Sequence, residues 1–214
     1  NDAVIDGQKI SVPPTLLFSL IGRHKDITKA VTSDFKDYDD HIYLLGLTKQ
    51  EIGACELAFM LKDIDNSSGI GTSVPILDPE RNIALYRALT NAMENNMIRS
   101  AHDCSDGGLS VSLAESCFGF SGGADIDVSE ILLSDDELDE WGALFGESLG
   151  RIIVSGSPEN ATEFEERMEG HAVYKLGKTT SSGKVMISAH GKTILKCDVA
   201  SLKAAWKGTL DRSA

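Results

Sequence analysis

The stretch that most constrains the fold is Ala101–Leu109, with the sequence Ala-His-Asp-Cys-Ser-Asp-Gly-Gly-Leu. A short apolar run, Met97-Ile98, precedes it, and Leu113 and Cys117 continue from Leu109 at helical spacing. The pattern predicts a strand, then a tight polar turn, then a helix whose apolar side faces the core.

This turn has the composition of a phosphate and metal site. Gly107 and Gly108 carry no side chain, so the backbone can approach a ligand closely, and the helix that follows offers unpaired N–H groups to an anion. Asp103 and Asp106 are placed to hold a hard cation such as Mg²⁺, and Ser105 to hydrogen-bond a phosphate oxygen. The alternative is that Ser105 or Asp106 only caps the helix, because a Gly-Gly turn alone is a weak signal.

A second polar turn, Leu144–Arg151, lies between a predicted helix and the apolar strand Ile152–Val154. Its polar side chains, Glu147, Ser148 and Arg151, are candidates to face a polar ligand. The alternative is a plain turn that carries an exposed ion pair. The local pattern leaves both interpretations open.

The charge, hydropathy and cysteine content of the chain indicate which partners and which compartment to expect. The chain has 214 residues and a net charge of −13, which opposes binding to nucleic acid or to an anionic membrane. No apolar run approaches the length that a membrane span needs. The four cysteines show no C-x-x-C spacing and no secretory signal is visible, so we expect a reduced, cytoplasmic chain.

Strands alternate with helices along most of the chain, which predicts an α/β layered domain. Ile42–Leu45 is typical of a buried strand, and Thr48-x-x-Glu51 predicts the start of a helix by its capping-box spacing. A second capping box, Ser134-x-x-Glu137, predicts a helix with Leu138, Trp141 and Phe145 on its buried side. The loop 66–74 is either a plain connection or a ligand-lining segment.

The first thirty residues differ from the rest. Two strand-like runs, Ile10–Val12 and Leu16–Ile21, are separated by Pro13-Pro14 and have no evident partner strands. We therefore expect residues 1–30 to be the tail of a preceding domain and residues 31–214 to form the main domain.

Several stretches, in this order, resemble the C-terminal domain of the aminoimidazole ribonucleotide synthetase superfamily. They are Asp39–Gly46, Ala101–Leu109, Ala124–Ser129, Leu144–Arg151 and Tyr174–Gly177. The resemblance implies a mixed sheet with helices packed on it. The stretch Lys9–Gly22 is similar to the end of the ATP-binding domain that precedes this domain in the superfamily.

The two polar turns most resemble the branch that makes formylglycinamidine ribonucleotide in purine synthesis. That resemblance implies a carbon–nitrogen ligase in which ATP activates an amide oxygen and ammonia from glutamine displaces the phosphate. It implies ATP or ADP and Mg²⁺ as ligands, and the remaining synthase domains and a glutaminase as partners. Since those parts lie outside this chain, we expect the chain alone to be inactive.

The resemblance also assigns roles to residues. It implies that Asp103 binds Mg²⁺ and that Ser105 binds nucleotide. Together with the anion-site pattern, this predicts a nucleotide site at Ser105, Asp106, Gly107 and Gly108. Glu147 and Ser148 match a substrate-binding turn of the related first domain, and with Arg151 they are the predicted substrate contacts. Leu149 stands where the family often has Gln, which removes an amide from that turn.

Two other functions remain open. One is a structural domain that holds an auxiliary nucleotide permanently. The other is membership of a related branch, such as the selenophosphate synthetases or the thiamine-monophosphate kinases. No catalytic side chain is predicted, because no cysteine lies in a nucleophile-like context.

Overall fold

The computed structural model describes residues 3–11, 17–65 and 73–208, so the loop 66–74 lies almost wholly outside the described residues. The chain divides into two compact units, Asn1–Ala30 and Val31–Ala214. None of the described helices combines the length and apolar character needed to cross a bilayer. The assignment of residues 1–30 to a preceding ATP-binding domain stays a prediction.

The first unit contains a small hairpin, in which β1 (Ala3–Ile5) pairs antiparallel with β2 (Gln8–Ile10). The strand predicted at Leu16–Ile21 is wrong for the described residues 17–21, which adopt no strand. Leu17 and Leu20 are 88% and 99% exposed there. A strand needs a neighbour to satisfy its backbone groups, and the described part of this unit pairs none with that run.

The second unit is built on one sheet. Its strands are β3 (His41–Leu45), β4 (Ser100–Asp103), β5 (Gly123–Asp127), β6 (Ile152–Gly156), β7 (Val173–Thr180), β8 (Lys184–Ala189) and β9 (Lys192–Asp198). They lie in the order β4-β6-β3-β7-β5-β8-β9. Only the pair β5–β8 is parallel among these neighbours, so the predicted mixed sheet with packed helices is confirmed.

The second unit also contains α-helices. They are α1 (Glu56–Asp65), α2 (Pro79–Glu94), α3 (Gly108–Phe118), α4 (Ser129–Leu132), α5 (Glu140–Phe145), α6 (Ala161–Arg167) and α7 (Val199–Gly208). The predicted order of strand, polar turn and helix around residues 101–109 is confirmed, with β4 beginning slightly after the apolar run Met97-Ile98.

Two hydrophobic cores lie on opposite faces of the sheet, because successive side chains of a strand alternate between faces. Ile42 and Leu44 of β3 belong to the core under α3, α4, α5 and α7. Tyr43 and Leu45 belong to the core under α2 and α6. The apolar stripe predicted for α3 is fully buried in the first core: Leu109, Leu113 and Cys117.

The capping box predicted at Thr48-x-x-Glu51 is wrong, since α1 begins only at Glu56. The Thr48 hydroxyl instead accepts a hydrogen bond from Arg151 at 3.2 Å. The Glu51 carboxylate accepts one from the backbone N–H of Ile76 at 3.1 Å. Both side chains are buried. They therefore hydrogen-bond to distant parts of the chain and do not cap a helix.

The capping box predicted at Ser134-x-x-Glu137 is also wrong, because α5 begins at Glu140. Its cap is Asp139, whose carboxylate accepts a hydrogen bond from the Gly142 N–H at 2.7 Å. This later start gives the short helix a different buried face. Trp141, which was expected to face the core, is 55% exposed.

Candidate functional site

The two polar turns of the sequence meet in space, and the backbone of Gly108 packs directly against the second turn. A Cβ at Gly108 would lie 2.5 Å from the carbonyl oxygen of Gly146 and 2.9 Å from the carbonyl carbon of Phe145. Its φ of +65° also favours glycine. Both Gly107 and Gly108 are buried. The glycines therefore bring the start of α3 against the second turn, where the sequence led us to expect a ligand.

The side chain of Glu147 lies at the start of α3. Its Oε1 accepts hydrogen bonds from the backbone N–H of Gly107 and from that of Glu56, the first residue of α1, both at 2.9 Å. A single carboxylate oxygen thus binds the N-termini of two helices, where backbone donors and the helix dipole favour negative charge. The alternative that Ser105 or Asp106 caps α3 is wrong, since its cap residue is Gly107 and no side-chain cap bond is made there.

Arg151 holds the second turn together from inside. It is 1% exposed, and its Nε donates to the Ser148 carbonyl at 3.2 Å. Its terminal nitrogens donate to the Thr48 hydroxyl and to the Gly146 carbonyl. Burial lowers the pKa of Arg151 from its ordinary value. The alternative of an exposed ion pair is wrong, because the guanidinium is buried and these partners are neutral oxygens.

Ser148 ties the same turn to the segment that follows β3. Its hydroxyl accepts a hydrogen bond from the Lys49 backbone N–H at 3.1 Å, and its side chain is buried. The described contacts of Ser148 and Arg151 are therefore with the protein itself. Of the predicted substrate contacts, Glu147 and Arg151 reach the lining of a cavity, whereas Ser148 lies outside that lining.

The exposed side of the first turn consists of Asp103, Ser105 and Asp106. The Ser105 hydroxyl donates a hydrogen bond to Oδ2 of Asp103. That bond holds the pKa of Asp103 below its ordinary value, so the carboxylate is ionised at neutral pH. Its side chain is 74% exposed, and its charge is therefore available to a bound cation.

A cavity of about 370 Å³ lies between the two turns. Its lining consists of Pro75, Tyr86, Asp103, Cys104, Ser105, Asp106, Glu147, Leu149, Gly150 and Arg151. It brings together Asp103, Ser105 and Asp106 from the first turn. Sequence reasoning missed Pro75 and Tyr86, because Tyr86 lies on α2 beside an ordinary core stripe and no motif marks it.

The charges around this cavity determine which anions can enter. Asp103, Asp106 and Glu147 supply three carboxylates, against the single buried guanidinium of Arg151. A nucleotide phosphate is repelled by such a lining unless a divalent cation accompanies it. In the part of the chain that the structure describes, no three His, Cys, Asp or Glu side chains form a metal-binding group. The exposed carboxylate of Asp103 is the group that would hold Mg²⁺ together with phosphate and water, an arrangement that is common for that ion.

Comparison with known proteins identifies the domain. The family described as AIR synthase related protein, C-terminal domain, matches residues 39–189, which is well over half of the chain. The chain is 35% identical over 205 residues to phosphoribosylformylglycinamidine synthase subunit PurL of Lactobacillus helveticus, a match covering 96% of this chain and 25% of that protein. The corresponding protein of Thermobifida fusca is 31% identical, over 94% of this chain and 25% of its own length. The chain thus spans about a quarter of the curated relatives it matches.

Solved structures share the fold. Thermotoga maritima PurL complexed with FGAR superposes with a TM-score of 0.71 and 19% identity, over 82% of this chain and 30% of that chain. The same protein complexed with ATP gives a TM-score of 0.63 and 18% identity, over 82% and 27%. The hydrogenase maturation protein HypE in complex with ATP gives 0.53 and 14% identity, over 80% and 54%.

Proposed function

The chain belongs to the AIR synthase related protein, C-terminal domain family, and we propose that it is the C-terminal module of a phosphoribosylformylglycinamidine synthase. The parent enzyme would use ATP and glutamine-derived ammonia to convert formylglycinamide ribonucleotide to the amidine in the cytoplasm. The named relatives and the shared fold with ATP-bound PurL support this assignment. The remaining synthase domains and a glutaminase would be its partners, and the match to the structure of PurLQS from Thermotoga maritima supports a parent with further subunits.

In this module, the first turn is the ligand-facing part. Asp103 would hold Mg²⁺, which when bound neutralises phosphate charge. Ser105 hydrogen-bonds the Asp103 carboxylate and would bind a nucleotide phosphate beside the bound cation, and Asp106 lines the same cavity. The second turn keeps these groups in place, because Glu147 binds the N–H of Gly107 at the start of α3. The single observation that carries the proposal is the ionised, exposed Asp103 beside Ser105 in this cavity.

A second candidate function is structural: the site would hold a nucleotide that rigidifies the enzyme and is not consumed in the reaction. The cavity lining agrees with a binding role of this kind. Burial raises the pKa of the thiol of Cys104, the cysteine of the cavity lining. That thiol is therefore protonated at neutral pH and adds no nucleophile to the lining.

Calorimetric titration of the chain with ADP, with and without Mg²⁺, tests the binding claim. We expect binding only with Mg²⁺, and a loss of about tenfold or more in Asp103→Asn. The matched control is Asp127→Asn, because the Ser129 hydroxyl donates to Asp127 as Ser105 does to Asp103, but outside the cavity lining. Equal binding by the wild type and Asp103→Asn would contradict the proposal.

Whether the chain keeps bound nucleotide during purification distinguishes the two candidate functions. A structural site keeps its nucleotide through purification, and the bound nucleotide exchanges slowly with labelled ADP. A site in turnover exchanges it freely. The isolated chain is expected to produce no amidine from formylglycinamide ribonucleotide, ATP and ammonia, and detectable turnover would refute that expectation.

A further inference from the structure

A histidine and a glutamate lie behind the first turn, and the proposed function gives them no role. His102 is the third residue of β4, next to Asp103, and Glu115 lies on α3. The Nε2 atom of His102 is 3.1 Å from Oε2 of Glu115. Both side chains are partly buried, with 18% and 30% exposed.

The other side of the same imidazole ring faces the proposed metal ligand. Nδ1 of His102 is 3.6 Å from Oδ1 of Asp103. Oδ2 of Asp103 accepts the hydrogen bond from Ser105. Each oxygen of the Asp103 carboxylate therefore has its own neighbour: Ser105 hydrogen-bonds Oδ2, and the His102 ring lies beside Oδ1 and limits rotation of the carboxylate on that side.

The contact with Glu115 determines where the ring lies. Because Glu115 is on α3 and His102 is on β4, their contact joins the strand before the turn to the helix after it. Without Glu115, the His102 ring can rotate away from Asp103. Residues that orient metal ligands in this way are commonly needed for full metal affinity even though they never touch the ion.

We propose that His102, held by Glu115, is a positioning residue that directs the Asp103 carboxylate toward a divalent cation bound with nucleotide phosphate. This inference rests on the proposed function, because it needs a cation at Asp103. A purely structural contact between strand and helix predicts something different, since its loss lowers the stability of the domain but leaves the metal dependence of binding unchanged.

The test measures ADP affinity at a series of Mg²⁺ concentrations in the whole chain. Glu115→Ala is expected to raise the Mg²⁺ concentration needed for half-maximal binding by about tenfold. Glu115→Gln still accepts the hydrogen bond and is expected to recover most of that loss. His102→Gln keeps a donor for Glu115 but loses the ring nitrogen that faces Asp103, and is expected to show the loss of Glu115→Ala. The control, Glu163→Ala, removes an exposed glutamate that pairs with Arg167 at 3.0 Å and should change nothing.

A double-mutant cycle completes the test. In Asp103→Asn, the further change Glu115→Ala is expected to cost nothing more, because the group that it positions is already gone. Wild-type Mg²⁺ dependence in Glu115→Ala or in His102→Gln overturns the inference and leaves the proposed function intact. If the wild type shows no Mg²⁺-dependent ADP binding, the proposed function and this inference fail together.

Discussion

The two polar turns look alike in sequence, but the structure places their side chains differently. Asp103, Ser105 and Asp106 of the first turn are exposed and line a cavity. Ser148 and Arg151 of the second turn are 2% and 1% exposed, and their described hydrogen bonds are with the protein. A polar motif can therefore serve a ligand site in two ways, by contacting the ligand or by holding the contacting residues.

Glu147 is the link between the two turns. It lines the cavity, and the same carboxylate accepts the N–H of Gly107 at the base of the first turn. On this division of roles, changes in the second turn or at the buried glycines that contact it lower stability, whereas changes at the exposed side chains of the first turn alter binding alone. Four sets of variants test that division, from the largest expected effect to the smallest.

The largest effect is expected from Arg151→Ala. The change removes a buried guanidinium and leaves the carbonyls of Gly146 and Ser148 without their donor. We expect the free energy of unfolding to fall by about 4 kcal/mol, measured by urea denaturation. Arg81→Ala is the control, since Arg81 is half exposed and pairs with Asp78 at 3.6 Å, and should cost at most about 0.5 kcal/mol. If both variants lose the same free energy of unfolding, Arg151 does not have the structural role assigned to it.

A smaller but still large effect is expected from Gly108→Ala. The new Cβ would lie 2.5 Å from the Gly146 carbonyl oxygen and would force the two turns apart, at a cost of about 3 kcal/mol. Gly191→Ala is matched for backbone strain, with φ of +74° and nothing within 4 Å of its Cβ, and should cost about 1 kcal/mol. If the two variants have the same urea midpoint, close approach of the turns is not the reason for glycine at position 108.

Glu147→Ala is expected to cost about 2 kcal/mol, because two helix N-termini lose their shared acceptor. Glu147→Gln keeps an oxygen that can accept both N–H groups and should cost about half as much. The exposed Glu166 provides the control through Glu166→Ala, which should leave the urea midpoint unchanged. A wild-type midpoint in Glu147→Ala would show that the carboxylate does not join the two helices in solution.

The smallest stability effect is expected at the first turn. Asp103→Asn and Ser105→Ala should each change the free energy of unfolding by no more than about 0.5 kcal/mol, since both residues are exposed. The two variants should nevertheless weaken Mg²⁺-dependent ADP binding. A loss of stability comparable to that of Glu147→Ala would mean that the first turn is a structural element as well.

Local patterns predicted the fold around the site. The succession of strand, glycine turn and helix is determined by residues that are close in sequence. The apolar stripe of Leu109, Leu113 and Cys117 can be recognised from its helical spacing. The capping box predicted at Thr48-x-x-Glu51 failed for the opposite reason. Thr48 and Glu51 are the residue types that a capping box requires. Their side-chain oxygens instead accept hydrogen bonds from Arg151 and from the backbone N–H of Ile76, which lie elsewhere in the chain.

The organisation of the site itself could not be predicted from the sequence. Glu147 is 40 residues from Gly107 and 91 from Glu56, and no spacing rule connects positions so far apart. Tyr86 enters the cavity lining only because α2 passes beside it. The local pattern identified the residues of the first turn and the family resemblance added roles for Asp103 and Ser105, whereas the burial of Arg151 and Ser148 required the three-dimensional structure.

The most direct test of the central claim is to map the position of Mg²⁺–ADP on the folded chain. Backbone amide spectra of the ¹⁵N-labelled chain, recorded as Mg²⁺–ADP is added, report which residues sense the ligand. We predict that the largest shifts fall on residues 103–107 and on Tyr86, and that they disappear in Asp103→Asn. Shifts concentrated at the separate pocket lined by Tyr43, Glu165 and Lys175, or unchanged shifts in Asp103→Asn, would contradict a nucleotide site at the first turn.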